Sequence, residues 1–304
     1  MTTTTTTTTP KTKTILFLGA TGGVALATLR RALAAGHTCI ALCRTPAKLT
    51  ACFPDNTPPA NLRLVQGDAH DASTLERCLL LPPADADAEN NGNSNGPVAV
   101  VDAIVFSIGA RPTLRGISDP HVCEAGMRAL LDALRRCRAR ANSNSTWTPP
   151  RLVVVSTTGI SAHQRDVPLP MLPLYRLLLH TAHEDKRAME RLVMDTTATT
   201  TTRTRRSSAR GEEEEEPQAE EGDGPEDNDR PLVDWTLVRG SLYTDGPATE
   251  GRVRVGMEDP VRGVVHSRAV GYTISREDVG KWVWENCLCA DDGKWVGKAA
   301  TITY

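Results

Sequence analysis

The sequence predicts an α/β fold in which a doubly wound parallel sheet carries helices on both of its faces. Short apolar runs alternate along the chain with segments whose apolar residues recur at helical spacing, which is typical of successive strand–helix–strand units. The first run, residues 14–19, is almost entirely apolar and ends in glycine, as expected of a strand buried on both faces. Right-handed crossovers between such units join the strands into one sheet.

Local signals then place the remaining elements. Gly36 follows the first helix where a left-handed cap is needed, and Asp71 caps a later helix. Between these two helices, Thr45 and Pro46 look like the N-cap and the first residue of a short helix. The predicted strands are 14–19, 38–43, 62–65, 98–106, 152–155 and 234–239. One helix is predicted over about 23–35, three more are predicted to begin at 46, at 72 and near 118–120, and a further helix is predicted to contain 183–193.

The C-terminal part departs from this alternation. Residues 252–255 and 301–304 resemble short strands, and Ser275 caps a helix between them. We expect this small segment to cover the C-terminal edge of the sheet. A substrate pocket for a small molecule would then lie beneath it.

Low-complexity stretches divide the 304-residue chain without adding a second domain. Residues 1–12 are predicted to be a disordered tail, and 84–97 and 196–230 are predicted to be inserts. The rest leaves about 243 residues, which suits one domain over 13–304. The longer insert falls between a helix and a strand, where a surface loop lengthens at small entropic cost.

Charge and composition exclude several classes of function. The formal net charge is −2, and the arginines of 203–210 are followed at once by the acidic run 212–216, a pattern typical of a solvated polyampholyte. The absence of a basic face argues against a nucleic-acid partner. No run of about 18 apolar residues indicates a membrane span, and no leader is recognised.

The cysteines indicate a reducing compartment. Eight of them are scattered through apparent strands and helices without paired spacing, so they are interpreted as reduced core thiols. Cys287 and Cys289 lie too close together to chelate a metal without a second pair, and we expect no metal site. These observations predict a cytoplasmic protein.

The glycine-rich turn after the first strand carries the clearest chemical signal. It reads Gly19-Ala-Thr21-Gly22-Gly23-Val24-Ala25 and joins a predicted strand to a predicted helix. Gly19 allows the tight turn, Gly22 allows close approach of a ligand, and Ala25 is small where the helix meets the strand. Backbone N–H groups and the helix N-terminus then favour a pyrophosphate, so the loop predicts a Rossmann-type dinucleotide site.

The end of the second strand indicates which dinucleotide is bound. An NAD-specific site would carry Asp or Glu there to bind the ribose hydroxyls, but this chain has Arg44. A guanidinium pairs with a 2′-phosphate instead. Lys48, one helical turn on, either adds charge or is an ordinary surface lysine. We therefore expect NADP(H) as the cofactor.

Taken together, these motifs resemble those of an atypical short-chain dehydrogenase/reductase of the NmrA-like and flavin-reductase-like group. Besides the glycine loop, the motifs Gly67-Asp68, Ser156-Thr-Thr-Gly159, His183-Glu-Asp-Lys186 and Trp235-Thr-Leu-Val-Arg239-Gly240 follow the family's order. The resemblance implies that Asp68 lies beside the adenine, although capping of a loop is the alternative. It also implies that Ser107, Gly109 and Ser156 line the cofactor.

The resemblance lacks one catalytic feature. Reductases of this superfamily carry a tyrosine four residues before a lysine as proton donor, but the residue four before Lys186 is Ala182. Tyr175 does not rebuild the pair, because the residue four positions after it is Leu179. The candidate catalytic groups are therefore Thr157, Thr158, Tyr175, His183 and Lys186, together with His180, and a histidine that titrates near neutrality is a candidate proton relay.

Two functions fit these residues. The first is an NADPH-dependent oxidoreductase that acts on a small conjugated substrate such as a flavin, quinone or enone, for which solvent supplies the proton. The second is a non-catalytic NADP-binding redox sensor of the NmrA type, with a protein partner that reads cofactor occupancy. An epimerase is disfavoured because that chemistry needs the missing tyrosine.

Overall fold

The computed structural model describes residues 12–80, 100–110, 112–113, 116–117, 119–141, 147–177, 179–208, 230–249 and 251–304. Its strands are β1 Thr14–Leu18, β2 Thr38–Cys43, β3 Leu62–Gln66, β4 Ala103–Phe106, β5 Pro112–Thr113, β6 Gly116–Ile117, β7 Arg151–Thr157, β8 Asp234–Gly240, β9 Leu242–Thr244, β10 Arg254–Asp259, β11 Val264–Ser267, β12 Thr273–Ser275 and β13 Lys298–Thr303. Its helices are α1 Gly23–Ala34, α2 Pro46–Thr50, α3 Ala72–Leu79, α4 Val122–Ala141, α5 Leu172–Leu177, α6 His180–Ser208 and α7 Arg276–Val283. The predicted tail, except its last residue, and the predicted insert at 84–97 lie outside the described residues.

The predicted doubly wound sheet is confirmed. Among the described residues, nine strands form one sheet in the order β11-β10-β13-β8-β7-β4-β1-β2-β3. Neighbours from β3 to β13 pair in parallel, and β10 and β11 add an antiparallel edge. The chain order reverses between β1 and β4, so the carboxyl ends of these two strands diverge into a crevice.

Alternating side chains of the parallel strands build a core on each face of the sheet. Leu16 and Leu18 of β1 face α3, α4 and α6, whereas Ile15 and Phe17 face α1 and α7. All four side chains are fully buried. The two-residue period of the strand therefore serves both layers of helices at once.

Most predicted caps are observed. Gly36 has φ +81° directly after α1, Asp71 accepts a hydrogen bond from the Ser73 N–H, and Ser275 accepts one from the Asp278 N–H. The Thr45 side chain makes no capping hydrogen bond, so α2 begins at its proline without one. The fourth strand is shorter than predicted, because 100–102 are not in strand and the predicted start at 98–99 lies outside the described residues.

The predicted helix over 183–193 is observed, but the boundary with the insert predicted to begin at 196 was wrong. The helix begins at His180 and continues to Ser208, so the Thr tract that begins the predicted insert is helical. The composition of the tract did not indicate a helix because threonine is a poor helix former. Met189 and Val193, on the turns before the tract, are buried and anchor the helix to the core. The Trp235 Nε1–H also donates to the Thr197 side chain at 2.7 Å. Residues 209–229 lie outside the described part of the chain.

The C-terminal strands also differ from the prediction. Instead of covering the sheet, β13 adds to it in parallel beside β8, and β10 pairs antiparallel with β13. What lies over the carboxyl edge is the short parallel pair of β9 and β12, together with the start of α7. Five of the six residues of β13 and three of the six residues of β10 are buried in the sheet.

A buried ion network fastens this C-terminal part to the rest of the domain. Arg239 of β8 donates from Nε and Nη2 to Glu190 of α6, at 3.1 and 2.7 Å. Its Nη1 donates to Glu258 of β10 at 3.1 Å. The second oxygen of Glu258 accepts from the hydroxyl of Ser161 and the amide of Gln164. The network therefore joins one strand, one helix, the sheet edge and the loop after β7.

The turn after β1 is held against the end of β4. Gly19 has φ +86°, a conformation that favours glycine, and a Cβ placed on it would lie 2.5 Å from the Ser107 carbonyl oxygen. The Ser107 N–H donates to the Leu18 carbonyl, which keeps the two strands paired up to this point. Only a glycine fits between these backbones.

Gly19→Ala is therefore expected to destabilise the fold. The added methyl group combines a backbone strain of about 1–3 kcal/mol with a backbone clash, so the free energy of unfolding in urea should fall by at least that amount. Gly109→Ala is the matched control, since a Cβ there meets nothing within 4 Å. Equal stability of the two variants would contradict this account of the turn.

Candidate functional site

A large cleft opens where β1 and β4 diverge. It has a volume of about 680 Å³, which is in the usual range for ligand and cofactor sites. The glycine turn forms its floor, and the ends of β2, β3, β4 and β7 form its walls. Of the predicted cofactor-binding residues, all line this cleft: Gly19, Thr21, Gly22, Gly23, Val24, Arg44, Lys48, Asp68, Ser107, Gly109 and Ser156.

The N-terminus of α1 points into this cleft without a protein anion. Gly22 at the N-cap is extended, no side chain caps the helix, and its first turn contains no acidic residue. By contrast, Asp71 caps α3 and Ser275 caps α7. A Cβ on Gly22 would meet nothing within 4 Å, so the space above the free N–H groups is open. These features fit a phosphate-bearing ligand at this helix end.

One end of the cleft is cationic. Arg44 and Lys48 are both exposed there, and among the described residues neither side chain has an ion-pair partner. Asp68 lies near them and accepts a hydrogen bond from the His70 N–H at 3.1 Å. It therefore caps a loop and lines the cleft at the same time, so the two interpretations of this residue do not exclude each other.

The other end of the cleft is organised by Lys186. Its ammonium group donates to the carbonyls of Ile108 and Val155, at 2.9 Å each, and so connects the ends of β4 and β7. Two of its three donors are used and one remains. Nearby, the Ser156 hydroxyl is buried and finds no hydrogen-bond partner in the described part of the chain. Both groups are available to polar atoms of a molecule bound in the cleft.

Tyr175 and His183 close this end. The Tyr175 hydroxyl lies 3.4 Å from the Thr158 hydroxyl, and its ring lies 5.3 Å from the His183 ring. Thr157 lines the cleft beside them, while Thr158 is buried behind Tyr175. The position expected for a catalytic tyrosine is occupied by Ala182, which also lines the cleft.

Comparison with known proteins agrees with this geometry. Residues 19–203 match a family model described as NAD(P)H-binding. The chain belongs to this NAD(P)H-binding family. It is 34% identical over 306 residues to "Reductase pytE" of Aspergillus terreus, a match that covers 96% of this chain and 98% of the relative. It is likewise 34% identical over 313 residues to "Oxidase pynE" of Aspergillus niger, covering 95% and 98%.

Solved structures support the same fold. A short-chain dehydrogenase/reductase of Veillonella parvula in complex with NADP has a TM-score of 0.58 at 12% identity, covering 97% of this chain and 95% of that one. The anaerobilin reductase ChuY of Escherichia coli O157:H7 has a TM-score of 0.54 at 17% identity, covering 95% and 96%. The expected NAD(P)-binding Rossmann family is thus confirmed, and a reductase and an oxidase are among the relatives of the chain.

His183 does not titrate where the sequence analysis expected. Burial, with a smaller effect of Arg187, lowers its pKa from the ordinary value of 6.5 to about 4. The ring is therefore neutral at physiological pH. Burial also raises the pKa of Tyr175, which stays protonated. The His180 side chain is exposed and lies 3.8 Å from Glu184.

A second cavity of about 250 Å³ adjoins the NAD(P)H cleft. Tyr175 and His183 line both spaces, and the loop after β7 and the start of α6 complete the second one. Its inner wall includes Asp166, which accepts from the Gly159 N–H at 2.9 Å and whose pKa is raised by burial. Arg187 lies at the same cavity and donates to the Gly159 carbonyl.

Sequence reasoning missed three residues that shape the cleft. Asp185, from the His183–Lys186 motif, accepts from the N–H groups of Cys123 and Glu124 and so caps α4. Tyr243 donates to the Ser156 carbonyl at 2.7 Å, and Arg276 lines the cleft near the glycine turn. Each acts on a part of the chain more than 60 residues away, so spacing along the sequence gave no signal.

The eight cysteines are free, and six of them are buried. Within the described ranges, no group of three or more side chains could hold a metal ion. No helix there is long and apolar enough to cross a membrane.

Gly22→Asp should abolish binding of the dinucleotide while the protein stays folded. The open space at this residue accepts the new side chain, but its charge opposes a pyrophosphate at the helix N-terminus. Calorimetry should then detect no binding of NADPH, and thermal unfolding should be close to that of the unmodified protein. Gly22→Asn, of equal size without charge, should lose less affinity. Full affinity in the Asp variant would refute the assignment of this loop.

Proposed function

We propose that the protein uses NADPH to reduce a small conjugated substrate such as a flavin, quinone or enone. The observation that carries the proposal is the asymmetry of the cleft. Arg44 and Lys48, which have no ion-pair partner among the described residues, stand at one end. The other end has Lys186 but Ala182 in place of the usual acid. The names of the two curated relatives, a reductase and an oxidase, agree with redox chemistry.

The preference for NADPH follows from the cationic end. Arg44 directly follows β2, the position from which a side chain reaches the adenosine ribose in Rossmann proteins. Because no carboxylate of the described residues pairs with it, this guanidinium is free to bind a 2′-phosphate in bidentate fashion. Lys48 lies one helical turn away and adds a second positive charge.

The substrate would occupy the space between the nicotinamide end of the cleft and the second cavity. Tyr175 and His183 line both, so a planar molecule stacked there contacts their rings. Thr157 lies at the same end, and Leu242, 40% exposed, offers an apolar edge. These side chains would position a conjugated ring system rather than a flexible polar chain.

The source of the proton separates this enzyme from reductases with the usual tyrosine. Bound NADPH supplies a hydride to an electron-poor atom of the substrate, and one proton must then be added. At pH 7 His183 is a neutral imidazole and not the imidazolium that acts as a general acid, and the raised pKa of Tyr175 makes it a poor acid. Lys186 is held by two carbonyls and is suited to orient the ribose. Water therefore supplies the proton, which a conjugated acceptor permits.

The proposal extends to the setting in which the enzyme works. The partner is a small molecule, and the free thiols suit the reducing cytoplasm, where NADPH is the common reductant. A redox sensor would use the same cofactor site, with a protein partner in place of a substrate. Turnover distinguishes the two.

Arg44→Asp should reverse the preference between cofactors. Replacing an attractive contact with a repulsive one removes on the order of 1.5–3 kcal/mol, so the Kd for NADPH should rise roughly tenfold or more. NADH should be affected far less. Lys48→Ala should cause a smaller loss of NADPH affinity, and this loss should not be additive with the loss in Arg44→Asp. Equal binding of both cofactors by the unmodified protein would contradict the proposed role of Arg44.

The protein should oxidise NADPH when it is mixed with members of a panel of flavins, quinones and enones. Turnover is measured as the loss of the absorbance of the reduced nicotinamide. Tyr175→Phe and His183→Gln should each reduce kcat by less than about tenfold, because a general acid contributes about 10²–10⁴ and none is used here. A loss of a hundredfold or more in either variant would identify a proton donor. Tight NADPH binding with no turnover on any acceptor would favour the sensor instead.

A further inference from the structure

We propose that Arg276 binds the diphosphate of the cofactor and that Asp245 competes with the diphosphate for this arginine. The two residues belong to the C-terminal segment, more than 200 residues from the glycine turn along the chain. The proposal rests on NAD(P)H binding in the cleft and is independent of the substrate that is reduced.

Close packing of two helices brings Arg276 to the glycine turn. Helix α7 lies against α1 so tightly that a Cβ on Gly280 would be 2.4 Å from that of Ala27. The Thr28 hydroxyl also donates to the Gly280 carbonyl at 3.3 Å. Because α7 begins at Arg276 and α1 begins at Gly23, this contact sets the starts of the two helices side by side.

The side chain of Arg276 then extends over the turn. Its Cδ and Nε lie 3.6 and 3.9 Å from the position of a Cβ on Gly23, within the cleft. The guanidinium carbon lies 5.8 Å from the centroid of the Tyr243 ring, within cation–π range. Tyr243 is itself fixed by hydrogen bonds to the Ser156 carbonyl and the Gly240 N–H, at 2.7 and 3.1 Å. The cation is therefore held on a rigid aromatic support at the open helix N-terminus.

The existing partner of Arg276 is weakly held. Asp245 accepts from Nη1 at 2.8 Å, but its side chain is 93% exposed and that of Arg276 is 36% exposed. Exposed ion pairs of this kind contribute little to stability because water screens them. A diphosphate carries more charge, offers paired oxygens to the guanidinium fork and lies in the field of the α1 N-terminus. Exchange of Asp245 for the diphosphate is thus favourable.

This exchange would link the cofactor to the substrate entrance. Asp245 directly follows β9, which pairs with β12 just before Arg276. Leu242 and Tyr243 of β9 line the cleft. Cofactor binding therefore releases a constraint on the same short strand that borders the substrate space.

The test compares binding of four ligands by calorimetry. In Arg276→Gln, the Kd values for NADPH, NADH and ADP-ribose should all rise by about tenfold. The ratio of the Kd for NADPH to the Kd for NADH should stay unchanged. Binding of 2′-AMP, which has no diphosphate, should not change. Arg276→Lys keeps the charge but loses the forked guanidinium, so its Kd values should lie between those of the natural protein and those of Arg276→Gln.

Asp245→Asn supplies the second half of the test. Removing the competing carboxylate should tighten NADPH binding by about two- to fivefold in the natural chain and have no effect in the Arg276→Gln background. Arg31→Gln is the control for helix packing, since Arg31 pairs with Glu277 between the same two helices at 2.9 Å but does not line the cleft. It should leave all four affinities unchanged.

Three outcomes would overturn the proposal. The first is unchanged NADH and ADP-ribose binding in a folded Arg276→Gln protein, with folding checked by thermal unfolding. The second is an equal effect of Asp245→Asn in both backgrounds, which would mean that Asp245 acts by simple repulsion. The third is a loss of cofactor affinity in Arg31→Gln as large as the loss in Arg276→Gln, which would assign the effect to helix packing. None of these measurements depends on turnover.

Discussion

The cleft depends on one contact between backbones, the approach of Gly19 to the Ser107 carbonyl. It forces the chain to turn sharply after β1 while β1 and β4 are still paired. Helix α1 consequently starts at the point where the sheet opens, with its free N–H groups facing the cleft rather than protein side chains. A larger residue at Gly19 would separate these strands, and the site for the dinucleotide phosphates would be lost with them.

A second constraint keeps the substrate side in place. Arg239 lies between two buried carboxylates, which raise its pKa and keep it charged. A buried guanidinium is costly unless it is fully paired, and removal of any partner would leave an uncompensated charge. The network therefore ties β10 and α6 to β8. Through Ser161 and Gln164 it also holds the loop that borders the second cavity.

Features encoded by neighbouring residues were predictable from the sequence. The alternation of strands and helices, the glycine turn and the arginine after β2 all depend on short spacing, and the structure brings them into one cleft. Features that need distant parts of the chain were not predictable. The cap of α4 by Asp185, the support of Tyr243 and the position of Arg276 follow from tertiary packing. The Thr tract of α6 was misjudged because composition outweighed the packing of the turns before it.

The most direct measurement of the central claim is a crystal structure of the protein with NADP bound. In that structure the diphosphate should lie at the N–H groups of Gly22 to Val24 and the 2′-phosphate between Arg44 and Lys48. The nicotinamide should lie between Lys186 and Tyr175. A diphosphate bound away from the start of α1 would contradict the central claim. A 2′-phosphate that points into solvent, without contact to Arg44, would contradict the proposed preference for NADPH.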